Sequence, residues 1–499
     1  MEEEIRAFLR RIEGEIRNIG FSTVVLEEGC VLSVGDGIAH VAGLRDARLY
    51  ELIEFEGGNE GIVFDLGVED IGVVLLTQQN GIKAGGRAYK TERILSVNVG
   101  DELLGHVLDA LGNMLDGGPR PEISVSYPVE REAPSLLERD LVNEPLYTGI
   151  KVIDAMLPIG RGQRELIIGD SAIGKTSIAV DAIINQRYSD VICIYTALGQ
   201  NKSHVLKVIE EIRTYGDLSK TIIVVADASV SLGLQYIAPY SATAIAEYFL
   251  DKGRDVLVVY DDLTKHAEAY RSLSLLLKRP PGREAFPGDI FFIHSRLLER
   301  AAKLGDAFGG GSITALPIVE TQQGRISSYI PTNLISITDG QIYLDALLFN
   351  KGILPPVDVG KSVSRIGGKT QVSAMKGVAE RLKIDYSRFI EVEVFTKFGA
   401  HIEDETAKLI RRGERLREIL KQMRFHPSSL EDEILSFLIL ESEVLDGVDV
   451  TATRRVCDEM LAKIKGEFPD IVARIANDGR ISNTDLKRLK DSMYSQGRG

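Results

Sequence analysis

The spacing of apolar residues changes along the chain, and each change predicts a different kind of element. From residue 1 to about 22, apolar residues recur every three or four positions, at Ile5, Phe8, Leu9, Ile12, Ile16 and Ile19. This spacing predicts an amphipathic helix. Such a helix packs either on its own domain or on another subunit, and the pattern favours neither.

Between residues 23 and 93, short apolar runs typical of strands are separated by turns that contain glycine. The runs cover residues 24–26, 38–41, 49–55, 61–66 and 71–76. Because no helical stretch lies between them, they predict a small antiparallel β-barrel or sandwich. No set of catalytic residues occurs in this segment, so we expect a structural role.

Residues 94–373 are predicted to form an α/β domain. A connector rich in Pro and Glu is followed by apolar runs that alternate with helical patterns. The predicted strands are 165–168, 191–195, 221–226, 256–260, 291–293 and 312–319. This alternation predicts a parallel sheet that is covered on both faces. Ligands of such sheets bind at the carboxyl ends of the strands.

From residue 374 to residue 499 the pattern is almost entirely helical. Helices are predicted over residues 403–421, 430–445 and 452–468, and they indicate a separate helical bundle with polar surfaces. The predicted organisation is therefore a helix (1–22), a β-barrel domain (23–93), an α/β domain (94–373) and a helical domain (374–499).

The first predicted strand of the α/β domain leads into a loop with a phosphate-binding pattern. The loop consists of Gly169, Asp170, Ser171, Ala172, Ile173, Gly174, Lys175 and Thr176, and a helical pattern follows over residues 177–184. Its pattern G-x-x-x-x-G-K-[ST], between a strand and a helix, binds phosphates through backbone N–H groups at a helix N-terminus. Lys175 would reach the outer phosphates, and the Thr176 hydroxyl would hold Mg²⁺. We therefore predict that the chain binds a nucleoside triphosphate.

Two further strand ends carry polar residues that belong to the same chemistry. Residues 256–260 lead into Asp261 and Asp262, and Asp261 is the better candidate for a Mg²⁺ ligand. Gln200 follows the strand at 191–195, where hydrolysing proteins of this class carry a glutamate that activates water. Glutamine orients a water molecule but cannot accept its proton.

Composition and charge narrow the class of protein. The chain has 499 residues, of which 44% are hydrophobic and 26% charged, as is typical of a globular protein with several domains. Its formal net charge of −14 argues against a general nucleic-acid binder. Cys30, Cys193 and Cys457 are far apart, which favours a reducing compartment over a disulfide framework or a zinc site. The sequence predicts neither a signal peptide nor a transmembrane helix, so any membrane association would come through partners.

Longer runs around these motifs resemble one known family. They lie at residues 34–39, 149–155, 158–170, 199–200, 260–265, 279–289, 294–300, 308–312, 330–333, 337–342 and 355–367. In content and order these runs resemble the alpha subunits of rotary F-type ATP synthase, over nearly the whole chain. The resemblance implies an N-terminal β-barrel, a central P-loop (RecA-like) domain and a C-terminal helical domain.

The resemblance also implies partners and a location. Alpha subunits of this family alternate with beta subunits in a three-plus-three ring around a central rotor shaft. A peripheral stalk subunit would meet the N-terminal helix, and a membrane sector would translocate ions. The chain would then lie peripherally at the cytoplasmic face of a cell or organelle membrane, without binding nucleic acid.

Site residues follow from the same resemblance. The family's alpha subunits bind Mg-ATP or Mg-ADP without turnover, which implies contacts from the loop 169–176, Gln200, Pro355 and Gln422, with Thr176 and Asp261 at the metal. The segment 362–367 matches the family's arginine-finger segment, which gives Arg365 a catalytic role in the site of a neighbouring subunit.

Several positions depart from the family pattern. Ser171 and Ala172 replace Arg-Gln in the phosphate loop, Leu354 replaces an arginine before Pro355, and Arg424 replaces a glutamine near the base. Because these changes cluster on one nucleotide site, we expect an altered nucleotide affinity with an intact role for Arg365.

Two other functions remain open on the residues alone. An autonomous homohexameric ATPase, such as a secretion motor, would need a carboxylate at the position of Gln200. A hexameric nucleic-acid translocase would need aromatic stacking residues in a basic groove. Its candidates here are Tyr50, Phe55, Phe64 and Tyr89, which lie among many acids and are better explained as core residues.

Overall fold

The computed structural model describes residues 27–77, 81–117, 123–396, 404–442 and 444–496. The helix predicted over residues 1–22 and the strand predicted over residues 24–26 lie outside this part of the chain. The chain divides between residues 94 and 95 into two compact units. The further boundary that the sequence predicts at residues 373 and 374 stays a prediction.

The described strands of the first unit close into an antiparallel barrel. They are β1 (Glu28–Gly35), β2 (Ile38–Ala42), β3 (Glu51–Phe55), β4 (Asn59–Leu66), β5 (Asp70–Leu75) and β6 (Arg87–Ile94). The order around the barrel is β1-β2-β5-β4-β3-β6, and β6 pairs with β1. Side chains that alternate along the strands fill the interior, among them Val41, Ile53 and Val73. Phe55 and Phe64 are buried, as expected of core aromatic residues, whereas Tyr50 and Tyr89 are only half-buried.

The second unit is centred on an eight-stranded sheet, counted over its described residues. The described strands of this unit are β7 (Ser96–Asn98), β8 (Val107–Asp109), β9 (Ser126–Pro128), β10 (Pro145–Leu146), β11 (Ile159–Gly160), β12 (Leu166–Asp170), β13 (Ile192–Leu198), β14 (Thr221–Ala226), β15 (Asp255–Asp261), β16 (Ser312–Thr321), β17 (Gly340–Tyr343) and β18 (Val363–Ser364). Strands β7 and β9, and strands β10 and β11, form two separate two-stranded sheets. The sheet order is β18-β17-β12-β16-β15-β13-β14-β8. Neighbouring strands run parallel, except that β18 runs antiparallel to β17.

Helices connect these strands and continue beyond them. They are α1 (Lys151–Met156), α2 (Lys175–Asn185), α3 (Lys202–Tyr215), α4 (Leu232–Asp251), α5 (Leu263–Leu276), α6 (Ile290–Leu298), α7 (Tyr329–Ile337), α8 (Ala346–Asn350), α9 (Ser373–Thr396), α10 (Asp404–Leu420), α11 (Leu430–Glu441), α12 (Thr453–Glu467), α13 (Pro469–Asp478) and α14 (Asn483–Gln496). Every residue of β13 is buried, because helices cover both faces of the parallel sheet.

One strand prediction is wrong. Residues 291–293 were expected to be a strand because they form a short apolar run, but they lie within α6. The buried residues Ile290, Ile293 and Leu297 recur at helical spacing, whereas Phe291 and Phe292 are exposed. A short apolar run does not distinguish a strand from a half-buried helix, and here the helical period decides.

Residues after β18 are helical, and the predicted fold class is confirmed: a closed barrel, a central α/β domain and a C-terminal helical domain. One hydrophobic core extends within the second unit from the sheet, through α1, into helices α9 to α14. None of the described helices has the length and apolar character needed to cross a membrane.

Candidate functional site

The phosphate-binding loop lies at the carboxyl edge of the sheet, between β12 and α2. Gly174 directly precedes α2 and has a φ of +105°, a conformation that strains any residue with a side chain. This conformation lets the loop turn sharply into α2, whose first N–H groups have no partner within the helix. The loop therefore offers backbone donors and the positive end of a helix dipole to an anion.

Lys175 is held at this loop by two oxygen atoms. Its Nζ donates a hydrogen bond to the backbone oxygen of Asp170 at 2.7 Å and lies 3.4 Å from Oε1 of Glu320. The Asp170 carboxylate accepts hydrogen bonds from Thr321 Oγ1 at 2.6 Å and from the Gly324 amide at 2.8 Å. The start of the loop is thus tied to the end of β16, and the ammonium group stays beside the loop.

Asp261, the last residue of β15, brings together side chains from three other elements. Its Oδ2 accepts hydrogen bonds from Thr176 Oγ1 at 2.7 Å and from the Tyr195 hydroxyl at 2.8 Å. Its Oδ1 accepts a hydrogen bond from Gln200 Nε2 at 3.2 Å. Three residues that the sequence assigns to one site, Thr176, Gln200 and Asp261, therefore lie together.

The pair of Thr176 and Asp261 fits a Mg²⁺ ion that is shared with a nucleotide. Both provide hard oxygen atoms beside the phosphate loop, and Mg²⁺ in such sites takes few protein ligands and completes its shell with phosphate and water. Over the described residues there is no cluster of three or more His, Cys, Asp or Glu side chains that could hold a metal alone. A metal here would accordingly depend on the nucleotide.

Burial sets the electrostatics of the two acids at the end of β15. It raises the pKa of Asp261 above its ordinary value, and the hydrogen bonds from Thr176 and Tyr195 partly offset this. Burial also raises the pKa of Asp262 to about 7, and the neighbouring charge of Asp261 adds to the rise. A bound cation would favour the ionised form of both carboxyl groups.

A cavity of about 580 Å³ begins at the phosphate loop. At the end away from the loop its apolar lining consists of Ile150, Ile178, Phe349, Leu354, Pro355, Pro356 and Met423. Asp181, Gln422 and Arg424 are the polar residues at that end. Pro355 and Gln422, which the sequence assigns to nucleotide binding, thus face the same cavity as residues 171–176. Gly169 and Asp170 are the last residues of β12 and do not line the cavity.

Arg365 lies elsewhere. It follows β18, and its backbone N–H donates a hydrogen bond to the oxygen of Asp339, the residue before β17. This is the amino edge of the sheet, whereas the phosphate loop is at the carboxyl edge. The Arg365 side chain is exposed and does not line the cavity.

Comparison with known proteins assigns the chain to a family. The family model for the nucleotide-binding domain of the ATP synthase alpha/beta family matches residues 149–364, and the model for the C-terminal domain of the ATP synthase alpha/beta chain matches residues 371–495. ATP synthase subunit alpha 2 of Syntrophotalea carbinolica is 51% identical over 95% of this chain and 91% of its own length. ATP synthase subunit alpha of Aquifex aeolicus is 47% identical over 98% of this chain and 97% of its own length. The chain belongs to the alpha subunits of F-type ATP synthase.

Membership in this family confirms the nucleotide-binding class predicted from the phosphate loop, while the roles of single residues stay predictions. Two of the residues that depart from the alpha-subunit pattern have distinctive structural features. Ala172 adopts a φ of +60°, a left-handed conformation that is unfavourable for alanine. Nη2 of Arg424 lies 3.1 and 3.2 Å from the two carboxylate oxygens of Glu211, so its charge is paired at the rim of the cavity.

Several residues at this alpha-subunit site are not predicted from the sequence. Glu320 is one residue before the end of β16, so the rule that ligands meet at strand carboxyl ends could have found it. Tyr195 lies within β13, and Asp181 lies on α2 beyond the phosphate loop. Neither carries a motif, and only the folded chain brings them to the site.

Proposed function

We propose that this chain is the non-catalytic alpha subunit in the head of an F-type ATP synthase. In this proposal it holds Mg-ATP or Mg-ADP at its own site and completes the catalytic site of an adjacent beta subunit during ATP synthesis and hydrolysis coupled to ion transport. The observation that carries the proposal is the position of Arg365 at the sheet edge opposite to the phosphate loop.

The geometry of the sheet supports action on another subunit. Strand β12 separates the two edges, and its four steps from Leu166 to Asp170 correspond to about 13 Å at the usual rise of a strand. Arg365 is tied to the amino edge by the bond from its N–H to Asp339. The exposed guanidinium group at this edge does not line the cavity at the chain's own loop, and it is accessible to a phosphate on a neighbour.

The chemistry of arginine fits this role. Nη2 of Arg365 donates one long hydrogen bond, of 3.4 Å, to the backbone oxygen of Ile335. The exposed guanidinium group is permanently charged and planar, so it can stabilise the negative charge on a terminal phosphate in the transition state.

Gln200 supports a site that binds nucleotide without turning it over. Its amide donates to Asp261, and an amide cannot take a proton from the attacking water. The proposed site therefore has a phosphate loop and Mg²⁺ ligands in Thr176 and Asp261, but it has no general base at the position of Gln200.

The proposed partners follow from the family. Three copies of the chain would alternate with three beta subunits around a rotor shaft, and a peripheral stalk subunit would bind the helix predicted over residues 1–22. The assembled head would sit on a membrane sector that translocates ions, at the cytoplasmic face of the membrane.

Nucleotide binding and turnover by the purified full chain test this proposal. We expect stoichiometric binding of Mg-ATP without sustained hydrolysis, and loss of binding in Lys175→Ala. Addition of the beta subunits should then produce ATP hydrolysis. Turnover on the scale of seconds by the chain alone would instead favour an autonomous ATPase motor.

A further inference from the structure

The apolar end of the cavity is where the base of a nucleotide would lie, because the phosphates occupy the loop at the other end. Apolar side chains accept the face of any base, so selection among bases falls to polar groups that reach its edge. The polar lining residues at this end are Asp181, Gln422 and Arg424.

The side-chain amide of Gln422 already forms hydrogen bonds with neighbouring backbone groups. Its Oε1 accepts a hydrogen bond from the Lys151 amide at 3.1 Å. Its Nε2 donates to the backbone oxygens of Gly149 at 2.6 Å and of His426 at 2.8 Å. Both amide hydrogens are therefore committed, and Gln422 holds the wall of the cavity together.

Arg424 is restrained in a similar way. Its pairing with both carboxylate oxygens of Glu211 directs the guanidinium group towards α3. Its guanidinium carbon, Cζ, lies over the Phe425 ring, 4.5 Å from the ring centroid. Glu211 therefore neutralises the charge of Arg424 at the rim of the cavity, so this residue presents little net charge to the edge of a base.

Asp181 differs from these two residues. It projects from α2, nearly two turns beyond Lys175, and one of its oxygens, Oδ1, accepts a hydrogen bond from the Phe425 amide at 2.8 Å. Phe425 is itself fixed by stacking on Tyr215, with ring centroids 4.6 Å apart. Among the described residues no other hydrogen-bond donor meets this carboxylate. The other carboxylate oxygen of Asp181, Oδ2, therefore remains available as a hydrogen-bond acceptor at the cavity.

We propose that Asp181 selects adenine at this site by accepting a hydrogen bond from the exocyclic amino group of the base. The proposal rests on the nucleotide binding proposed above. Hypoxanthine carries a carbonyl oxygen in place of that amino group. This oxygen and the carboxylate are both acceptors, so they would repel each other instead of forming a hydrogen bond. Guanine also carries a carbonyl oxygen at that ring position, so the same unfavourable contact between two acceptors would disfavour it.

Titration of the full chain with Mg-ATP, Mg-ITP and Mg-GTP tests this selection. We expect the wild-type chain to prefer ATP over both other nucleotides by at least about tenfold, the effect of one hydrogen bond to a charged group. Asp181→Asn keeps an oxygen for the Phe425 amide and adds a donor that can meet a carbonyl. The ATP/ITP preference should then fall to less than about threefold.

Glu210→Gln is the matched control. Glu210 is an exposed acid on α3 that pairs with Arg213 at 3.0 Å and does not line the cavity, so the ATP/ITP preference should stay at the wild-type value. An unchanged preference in Asp181→Asn, or equal binding of ATP and ITP by the wild-type chain, would overturn the assignment. Failure of the wild-type chain to bind any of the three nucleotides would instead refute the proposed nucleotide site itself.

A second measurement uses the ionisation of Asp181. The pKa of its carboxyl is raised to about 6 by burial, with a smaller contribution from the charge of Glu211, while the hydrogen bond from the Phe425 amide and the charges of Arg424 and His426 oppose the rise. Below that pH the protonated carboxyl can donate to a carbonyl oxygen. The wild-type ATP/ITP preference should therefore shrink at pH 5, while that of Asp181→Asn should not change. A wild-type preference that is the same at pH 5 and pH 8 would contradict the assignment.

Discussion

At the scale of single residues, the site depends on the hydrogen bonds that the Asp261 carboxylate accepts. Its carboxylate is buried and accepts hydrogen bonds from Thr176, Tyr195 and Gln200. Removal of any one donor leaves the others in place, so their contributions can be separated. The Thr176 hydroxyl is the one that we also propose as a ligand of Mg²⁺.

Thr176→Val should therefore weaken the Mg²⁺ dependence of nucleotide binding. The substitution keeps the shape of the side chain and removes the oxygen that would bind Mg²⁺, so we expect an affinity for Mg-ATP lower by at least about tenfold. Affinity for ATP in the presence of a chelator should change little. Calorimetric titration with and without Mg²⁺ measures both values, and Ser177→Ala, at the adjacent cavity residue, is the control. An equal loss with and without Mg²⁺ would argue against Thr176 as a metal ligand.

The phosphate loop supports a second prediction at this scale. Ser171 and Ala172 stand where the family has a cation and an amide, and both residues are exposed at the cavity. The double substitution Ser171→Arg with Ala172→Gln should tighten Mg-ATP binding, and the gain should shrink at high salt because it is electrostatic. Titrations at low and high ionic strength measure it. A gain that does not depend on salt would mean that the loop conformation, rather than charge, limits affinity.

At the scale of elements, strands and helices with a strong period could be predicted from the sequence. The strand predicted over residues 221–226 coincides with β14, and the helix predicted over 177–184 lies within α2. The apolar run at 291–293 was misassigned because its helical period appears only when the buried residues of α6 are known. Packing, rather than local pattern, decides such cases.

The same reasoning explains what could be predicted of the site. The phosphate loop, Asp261 and Gln200 follow strands that end at one edge, so topology alone places them together. Asp181 and Tyr195 gain their positions from tertiary contacts, with the Phe425 amide and with Asp261 respectively. No spacing rule in the sequence connects residues so far apart along the chain.

Helix α11 contains a buried acid that makes stability depend on pH. Glu433 is fully buried, and neither carboxylate oxygen has a hydrogen-bond partner in the described part of the chain. Burial raises its pKa well above the ordinary value, the charge of Asp154 adds to the rise, and Lys151 opposes it. The folded chain therefore holds this proton more tightly than the unfolded chain, and stability falls as pH rises above the ordinary pKa of glutamate.

Glu433→Gln should remove that dependence. Glutamine is neutral at every pH and has nearly the same shape, so its stabilising effect should grow from pH 5 to pH 8 and reach about 1 kcal/mol or more. Thermal unfolding at the two pH values measures the difference between variant and wild type. Glu431→Gln, in the same first turn of the helix but only half-buried, should show no such growth. An equal effect of Glu433→Gln at both pH values would contradict a raised pKa.

At the scale of the whole molecule, the sheet separates two functions. Its carboxyl edge holds the phosphate loop, the proposed metal ligands and the cavity, and its amino edge holds Arg365. The chain's own nucleotide and its proposed contribution to catalysis are thus on opposite sides of the same sheet. A subunit built in this way contributes to turnover only next to a partner that brings a second nucleotide to Arg365.

Substitution of Arg365 by lysine in the assembled complex with beta subunits tests this central claim most directly. Lysine keeps the charge but loses the planar fork, so we expect multisite ATP turnover to fall by about a thousandfold or more. Assembly of the ring and Mg-ATP binding at the chain's own loop should be unchanged. Arg455→Lys, at an exposed arginine on α12 that pairs with Glu459, should retain wild-type turnover. If Arg365→Lys also retained turnover within a few-fold of the wild type, Arg365 would not be the residue that completes the neighbouring site.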